Sequence, residues 1–296
     1  MGIDSPTASF GVISTIRGKT VRHPLLTSAL LAACVACSSD GTGPGNVAFT
    51  WSARSALPLP RTDFGAAVVG ANVYALAGFS GSTLARVDEY DPATDTWTRR
   101  ADMLTPRRNF VAGVDVHYGG GAANGRLYVV EFNTNLSSLT ATYEYDPGTD
   151  RWTTKAPVPF SYQEFATTTL GEELYVLASS AGGGKLAVYD PVGDVWVLRA
   201  ALPTIALPGL VAANGKVYTV GGVTGDGTLT PLAVSPAVYE YDPAVDRWAA
   251  RGDLTVSRHS PAAVDVGSEV FVMGGSSTTS LFATPVATVE EGTPRP

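Results

Sequence analysis

The sequence has few of the residues that build metal, redox and catalytic centres. It contains two cysteines, Cys34 and Cys37, and three histidines, and only 16% of its 296 residues are charged. Because no cysteine follows Cys37, the rest of the chain can form no disulfide and supply no thiolate ligand. The scattered histidines form no metal-binding pattern. We therefore expect no metal and no other cofactor.

Helical periodicity is also missing beyond residue 40, and strand signals take its place. The chain has 45% apolar residues, 32 glycines and 20 prolines, with short Val- and Tyr-rich runs between them. This composition predicts an all-β fold with a sizeable core. A formal charge of −7 argues against nucleic acid as a partner, since phosphate backbones attract basic surfaces.

The N-terminal region differs from the rest of the chain. Arg17, Lys19 and Arg22 precede an apolar run over 24–33, which is shorter than the roughly 20 residues that span a bilayer. Basic residues before a short apolar run are typical of a secretory signal peptide. We predict a signal peptide over 1–33, a flexible tether over 34–46 and a folded domain over 47–296.

The end of the apolar run resembles a bacterial lipobox, because Leu-Ala-Ala directly precedes Cys34. That resemblance implies a lipoprotein with acylated Cys34, held at the bacterial cell envelope on its periplasmic or outer surface. Contact with the membrane would then occur through the lipid alone. Cys37 is the alternative acylation site. The two cysteines also form Cys-x-x-Cys, but no strand-helix context or further ligand supports redox or metal chemistry there.

One phrase, Tyr-Asp-Pro-x-x-Asp-x-Trp, occurs four times in the chain, at intervals typical of repeat proteins. A fifth tryptophan, Trp51, extends the series toward the N-terminus. Proline fixes the backbone of a turn, and the aspartate before it can accept a bond from the residue two positions on, so each phrase predicts a β-hairpin. We assign its rings to packing between sheets. The repeated aromatic residues are Trp51, Tyr90, Trp97, Tyr145, Trp152, Tyr189, Trp196, Tyr241 and Trp248.

A second set of repeated residues precedes each hairpin. Five apolar strands carry an aromatic residue, and two of them end in Gly-Gly, at 221–222 and 274–275. The diglycine, followed by a Tyr and a Trp at fixed spacing, resembles the kelch repeat, in which each repeat is one four-stranded blade of a β-propeller. The resemblance covers 47–296. It is weakest where the diglycine is replaced, at 131–132 and 178–179.

The number of strands sets the number of blades. Five aromatic-containing strands are present but only four Tyr-Asp-Pro hairpins, which leaves 47–52 as an outer strand without its own blade. We predict a five-bladed kelch-type β-propeller of four-stranded blades, whose last blade has its third strand over 286–290 and is closed by the N-terminal strand 47–52. A piece of a larger propeller is the alternative.

The position ten residues after each tryptophan lies where the loops of a propeller surround the channel mouth. It holds arginine in three of five repeats, and guanidinium groups suit carboxylates and phosphates. We predict a ligand site from these and neighbouring residues: Arg61, Arg107, Arg108, Asn109, Tyr162, Gln163, Arg258 and His259. The alternative is that the arginines bind carbonyls or carboxylates of the protein and only fix the loops.

These features favour a monomeric binding module for a protein, a peptide or an acidic glycan. We assign no catalytic residue. An enzymatic alternative resembles the sialate mutarotase branch of kelch proteins, a sugar mutarotase or epimerase, with Glu164 or His259 carrying a proton. A passive structural platform is the remaining alternative.

Overall fold

The computed structural model of the protein describes residues 52–106, 116–133, 141–160, 164–180, 183–202, 208–224, 233–266, 269–278 and 285–294. All regular structure within these ranges is β-strand. The same ranges contain no helix long and apolar enough to cross a membrane. Residues 47–51, Cys34 and the predicted signal peptide lie outside them.

Five antiparallel sheets follow one another along the chain, and we number them as blades 1 to 5. Blade 1 contains β1 (Gly65–Val69), β2 (Asn72–Leu76), β3 (Val87–Asp91) and β4 (Thr96–Arg100). Blade 2 contains β5 (Val116–Ala123), β6 (Arg126–Asn133), β7 (Ala141–Asp146) and β8 (Arg151–Lys155). Blade 3 contains β9 (Glu164–Leu170), β10 (Glu173–Ser180), β11 (Gly183–Asp190) and β12 (Val195–Leu198).

Blade 4 contains β13 (Gly209–Ala213), β14 (Lys216–Val220), β17 (Val238–Asp242) and β18 (Arg247–Ala250). A two-stranded extension, β15 (Val223–Thr224) with β16 (Ala233–Val234), lies between its second and third strands. Blade 5 contains β19 (Ala262–Val266), β20 (Glu269–Met273) and β21 (Val289–Gly292). The third strand of blade 5 therefore begins later than the predicted 286–290, because Pro285 and Val286 instead pair with Ser276 and Gly275 beyond the end of β20.

The five sheets form a five-bladed β-propeller, as the sequence predicted. The first strands of successive blades contact one another in the order β1, β5, β9, β13, β19, which places them around the centre. The third and fourth strands of each four-stranded blade lie progressively farther out. The proposed closing strand 47–52 falls almost wholly outside the described residues, so closure through it stays a prediction.

Hydrophobic clusters fill the spaces between successive blades. Blades 1 and 2 share one around Tyr74 and Tyr145, and blades 2 and 3 share one around Tyr128 and Tyr189. Two more clusters join blade 3 to blade 4 and blade 4 to blade 5. Because each blade buries one face of its sheet against the next, the core is a series of interfaces rather than one central layer.

The Tyr-Asp-Pro phrase forms the hairpin between the third and fourth strands. In blade 2, the Gly148 amide donates to Asp146 Oδ1 over 2.8 Å, and the same contact recurs at Asp91, Asp190 and Asp242. The second aspartate of every phrase has a left-handed backbone, with φ of 53° at Asp150. Aspartate tolerates this conformation better than most residues do. These contacts confirm the predicted turn.

Candidate functional site

The aromatic residues of each phrase are joined to the preceding blade by a hydrogen-bonded unit, which we call the rim clamp. In blade 2, the Tyr145 hydroxyl donates to Asp150 Oδ1 over 2.7 Å, and the Ala101 amide donates to the same oxygen over 2.8 Å. Trp152 Nε1 donates to the Ala101 carbonyl over 3.1 Å. Ala101 lies four residues after Trp97, where the chain leaves blade 1. The clamp therefore fixes the start of each channel-facing loop.

The same clamp recurs at every described Tyr-Asp-Pro hairpin. The clamp of blade 3 binds Ala156 and that of blade 4 binds Ala200, each four residues after the preceding tryptophan. Blade 1 holds Ser55, whose amide donates to Asp95 over 2.9 Å and whose carbonyl accepts from Trp97 over 2.9 Å. Ser55 lies four residues after Trp51 in the sequence. This offset supports the prediction that Trp51 belongs to the outer strand of the blade before blade 1.

The clamp changes the acidity of both partners. The Ala101 amide and the Tyr145 hydroxyl hold the pKa of Asp150 below its ordinary value, because both donate to the ionised carboxylate. Burial and the bond to Asp150 raise the pKa of Tyr145. Sequence reasoning identified the packing of the rings but missed this polar contact. The signal was available, since the second aspartate is present in all four phrases.

Arg61 leads from the clamped segment into blade 1, and its guanidinium lies within the protein. Nη1 donates to Asp88 Oδ2 over 2.6 Å, and Nη2 donates to the Ala75 carbonyl over 3.0 Å. The side chains of Arg61 and Asp88 are fully buried. Burial alone would raise the pKa of Asp88, but hydrogen bonds from Arg86 and Arg61 outweigh it and lower that pKa. Arg61 thus ties together the second and third strands of its own blade.

Arg258 occupies the corresponding position in blade 5 and is also fully buried. It forms an ion pair with Glu290 on β21. Nη1 donates to the Thr288 carbonyl over 3.0 Å and to the Gly274 carbonyl over 3.2 Å, and Nη2 donates to Thr288 Oγ1 over 2.7 Å. The predicted ligand site therefore does not present these two guanidiniums as an open set of donors. Their contacts match the alternative in which the arginines bind carbonyls and carboxylates of the protein and only fix the loops.

Register explains where these buried pairs occur. Asp88 lies opposite Ala75, and Glu290 lies opposite Val272 at the same position of blade 5. The corresponding residues in blades 2, 3 and 4 are Tyr143, Ala187 and Tyr239. An acidic residue therefore occupies this register in the two blades whose arginines the structure describes.

The glycines after the second strands leave room for the arginine loops. Gly78 has φ of 103°, and a β-carbon there would lie 2.7 Å from the Thr62 carbonyl oxygen. At Gly275 the corresponding distance, to the His259 carbonyl oxygen, is 2.6 Å. Any larger side chain would displace the loop that carries Arg61 or Arg258. Close approach of the two backbones therefore requires glycine at both positions.

His259 follows Arg258 and is held by its own loop. Its Nε2 lies 2.9 Å from the Thr278 carbonyl oxygen, and Nδ1 lies 3.1 Å from Ser260 Oγ. Its backbone pairs with Ser276 in both directions. Two residues of blade 5 therefore position the imidazole, and a third holds its backbone.

The remaining predicted ligand residues lie outside the described ranges: Arg107, Arg108, Asn109, Tyr162 and Gln163. Glu164, the alternative proton carrier, begins β9, where its backbone pairs with Ser179. Within the described part of the chain, no three His, Cys, Asp or Glu residues converge in a way that could hold a metal ion. A shallow groove does lie at the outer hairpin of blade 4, lined mainly by Glu240, Asp242, Arg247, Trp248 and Arg251.

A further polar cluster, which sequence reasoning missed, lies beside the clamp in blades 1, 2 and 4. Tyr74, Tyr128 and Tyr218 donate to a glutamate on the third strand of the same blade over 2.7–2.9 Å. Each glutamate also pairs with a basic residue, such as Arg251 with Glu240 at 2.7 Å. Glutamate directly precedes Tyr-Asp-Pro in three of the four phrases, which was the available signal.

Comparisons with known proteins agree with this architecture. The kelch motif model matches residues 60–104. The chain is 27% identical over 240 residues to Kelch-like protein 25 of Xenopus tropicalis, a match that covers 75% of this chain and 38% of that protein. It is 27% identical over 260 residues to Kelch-like protein terF of Aspergillus terreus, covering 80% and 54%. The chain thus spans about a third to a half of the length of these relatives.

The solved structure of YjhT shares the fold. It superposes with a TM-score of 0.63 over 82% of this chain and 84% of its own, at 15% sequence identity. The motif match and the kelch-like relatives support the kelch-repeat family for this chain.

Proposed function

Starting from a kelch-type propeller, we propose that this protein is an envelope-anchored binding module that recognises an acidic partner through its channel-face loops. One observation carries the proposal: the residues that hold the blades together differ from the loop residues that could bind a ligand. Clamps and buried arginine pairs fix both the start of each loop and the strands beneath it. The loop residues themselves differ from blade to blade, as binding residues on a rigid scaffold commonly do.

The acidic ligand is assigned to the arginines that follow blade 1. Arg61 and Arg258 direct their donors at the protein, so they support the loops rather than a ligand. Arg107 and Arg108 are adjacent basic residues in the next loop. Blade 2 has Tyr143 at the register of Asp88, so the acid that binds Arg61 in blade 1 has no counterpart at that position. Two neighbouring guanidiniums are suited to bind the carboxylates of a peptide or an acidic glycan.

A thermal-shift screen of the full chain tests this assignment. Polyglutamate peptides and sialic-acid-containing glycans serve as probes, and a ligand at about 100 times its Kd adds about 2.7 kcal/mol of stability. We expect a shift with one probe class, lost in Arg107→Ala/Arg108→Ala and retained in Arg99→Ala, an exposed arginine of β4. No shift with either class, or a shift that survives the double substitution, would remove the acidic-ligand proposal.

Envelope anchoring through Cys34 is the second part of the proposal, and it rests on the Leu-Ala-Ala-Cys sequence. Incorporation of a labelled fatty acid and membrane fractionation can test it in a bacterial host. We expect Cys34→Ser to abolish both labelling and membrane recovery, whereas Cys37→Ser retains them. The opposite pattern would assign acylation to Cys37, and labelling unaffected by either substitution would exclude both as single sites.

A further inference from the structure

The outer edge of blade 3 differs from those of the other four-stranded blades. Among the strands that the structure describes, the fourth strand of each such blade is paired on one side only. Blades 1, 2 and 4 carry polar, basic or small residues around the tryptophan, in the sequences Thr-Trp-Thr-Arg, Arg-Trp-Thr-Thr and Arg-Trp-Ala-Ala. Blade 3 has Val195-Trp196-Val197-Leu198. Charges and small polar residues protect sheet edges from pairing with other chains, and β12 lacks them.

The apolar residues of β12 are exposed. Val195, Val197 and Leu198 are 45%, 41% and 56% exposed, and Val192 in the preceding hairpin is 87% exposed. Alternation along the strand puts Val195 and Val197 on one face of the sheet. Trp196, on the other face, packs into the cluster between blades 2 and 3. The tryptophan therefore holds the strand in place while the valines remain uncovered.

Within the described part of the chain, no strand pairs with the outer side of β12. The Arg199 amide donates to the Leu186 carbonyl over 2.9 Å, which makes this a hydrogen-bonded pair of the antiparallel ladder. The backbone groups of successive residues point alternately toward the neighbouring strand and away from it. Those of Val197 and Val195 therefore point toward β11. The amides and carbonyls of Trp196 and Leu198 consequently face away from the sheet. A further strand could add to this edge.

We propose that the occupant is β12 of a second copy of this chain, paired antiparallel across a two-fold axis. In a register centred on Trp196, the two copies of Trp196 form a hydrogen-bonded pair. Val195 of each copy then lies opposite Val197 of the other, at the closer, non-hydrogen-bonded position where side chains interact most. The resulting interface is the same surface on both copies, as a two-fold dimer requires.

Charge favours a second copy as the occupant. Two-fold pairing places equivalent residues of the two chains near one another, so a charged edge repels itself. Among the described fourth strands, β4 contains Arg99 and Arg100, β8 contains Arg151 and Lys155, and β18 contains Arg247. β12 carries no charge, although the protein has a net charge of −7. It is therefore the described outer strand best suited to pair with itself.

Charged residues adjoin β12 at both ends, Asp194 before it and Arg199 after it. Asp194, directly before β12, accepts from the Tyr189 hydroxyl over 2.6 Å and from the Ala156 amide over 2.8 Å. Those bonds direct the carboxylate toward blade 2. One strand of four residues makes a small contact, so we expect a reversible dimer whose fraction rises with concentration.

Sedimentation velocity of the full chain in a density-matched detergent tests the proposal. The decisive variant is Val195→Arg/Val197→Thr/Leu198→Thr, which gives β12 the sequence found at Arg151–Thr154 in blade 2. This edge sequence already belongs to a folded blade of the same protein. We expect a concentration-dependent dimer for the natural chain, loss of the dimer in the triple variant and an unchanged thermal unfolding midpoint. Val266→Thr, at an exposed apolar residue of blade 5, should leave the dimer intact.

Three outcomes would overturn the proposal. A natural chain that stays monomeric at every concentration has no such dimer. A dimer that persists in the triple variant uses another surface. A monomer that binds neutral phosphatidylcholine vesicles, and loses that binding in the triple variant, would show that lipid rather than a second copy covers the edge.

Discussion

The outer rim and the channel face of this propeller both contain polar contacts, but those contacts join different parts. At the rim, Asp150 and Trp152 hold Ala101 of the preceding blade, so the clamp connects two repeats. At the channel face, Arg61 holds Asp88 within one blade. The clamp recurs in every described Tyr-Asp-Pro hairpin. The arginine pair occurs where the third strand supplies an acid. The clamp between repeats is thus more regular than the arginine pair within a repeat.

This difference shows that the positions of one repeat can be under different structural requirements. All blades of a propeller must join a neighbour, so the residues of the clamp are shared by all four phrases. A channel-face position has no such common requirement. It holds arginine in three repeats, and tyrosine or alanine in the other two. This freedom is what allows a scaffold to carry binding residues at some positions and structural residues at others.

The largest expected effect comes from breaking the channel-face pair. Asp88→Asn leaves the Arg61 guanidinium buried without its counter-charge, which should cost about 3–5 kcal/mol. Urea denaturation measures the loss. The matched control is Asp102→Asn, since Asp102 pairs with Arg99 through half-exposed side chains and should contribute less than about 1 kcal/mol. Equal losses in the two variants would contradict a framework role for Arg61.

A smaller effect is expected at the rim. Asp150→Ala removes the acceptor for Tyr145 and Ala101, and a bond to a charged group is worth about 1.5–3 kcal/mol. Asp95→Ala makes the same change in the exposed clamp of blade 1. Both residues have left-handed backbones, with φ of 53° and 56°, so the conformational cost of alanine is matched. We expect the larger fall in urea midpoint for Asp150→Ala, and the reverse order would contradict an inter-blade role for this clamp.

The smallest expected effect is a change in pH dependence. Asp150, Asp194 and Asp246 have pKa values below the ordinary range in the folded protein. Their contribution is therefore complete above the unfolded carboxyl pKa of about 3.9, and it is lost as pH falls through the lower folded values. Unfolding midpoints measured between neutral and acid pH should fall less steeply for Asp150→Ala than for the natural chain. Parallel profiles would show that this carboxylate adds nothing to acid sensitivity.

At alkaline pH, the stability that the clamp contributes changes with pH in the opposite direction. Burial and the bond to Asp150 raise the pKa of Tyr145, so the folded state favours the neutral phenol. That stability is present below the unfolded tyrosine pKa of about 10 and is lost as pH rises above it. The clamp should therefore weaken at both extremes of pH. The same series of midpoints, extended to alkaline pH, measures this second decline.

Much of the fold could be predicted from the sequence because the repeat is local. The Tyr-Asp-Pro turn depends on residues within one hairpin, and the structure forms it as the sequence indicates. Five blades followed from counting aromatic-containing strands such as that of Phe271. The predicted start of the third strand of blade 5 was wrong, because Val286 pairs with Gly275 instead. Local sequence does not reveal that contact. Closure through 47–52 stays a prediction that the position of Ser55 supports.

The candidate site was less predictable than the fold. Guanidinium chemistry at Arg61 is the same whether the acid that it meets belongs to a ligand or to β3. Only the strand register shows that the acid belongs to β3, because it places Asp88 opposite Ala75 beneath the arginine. The edge of blade 3 is a similar case, since valine and leucine in a strand usually indicate a core. Their exposure follows from the position of β12 at the outside of its sheet.

By itself, the sequence determined the repeat, its turns, the all-β architecture and the number of blades, because period and turn chemistry act over a few residues. Tertiary structure alone decided which polar groups meet. Asp150 reaches Ala101 across 49 positions of the chain, and Arg258 reaches Glu290 across 32. Such contacts depend on how sheets stack and which strands lie opposite each other. A linear pattern carries residue types, but only packing decides whether a charge faces solvent, a partner or the protein itself.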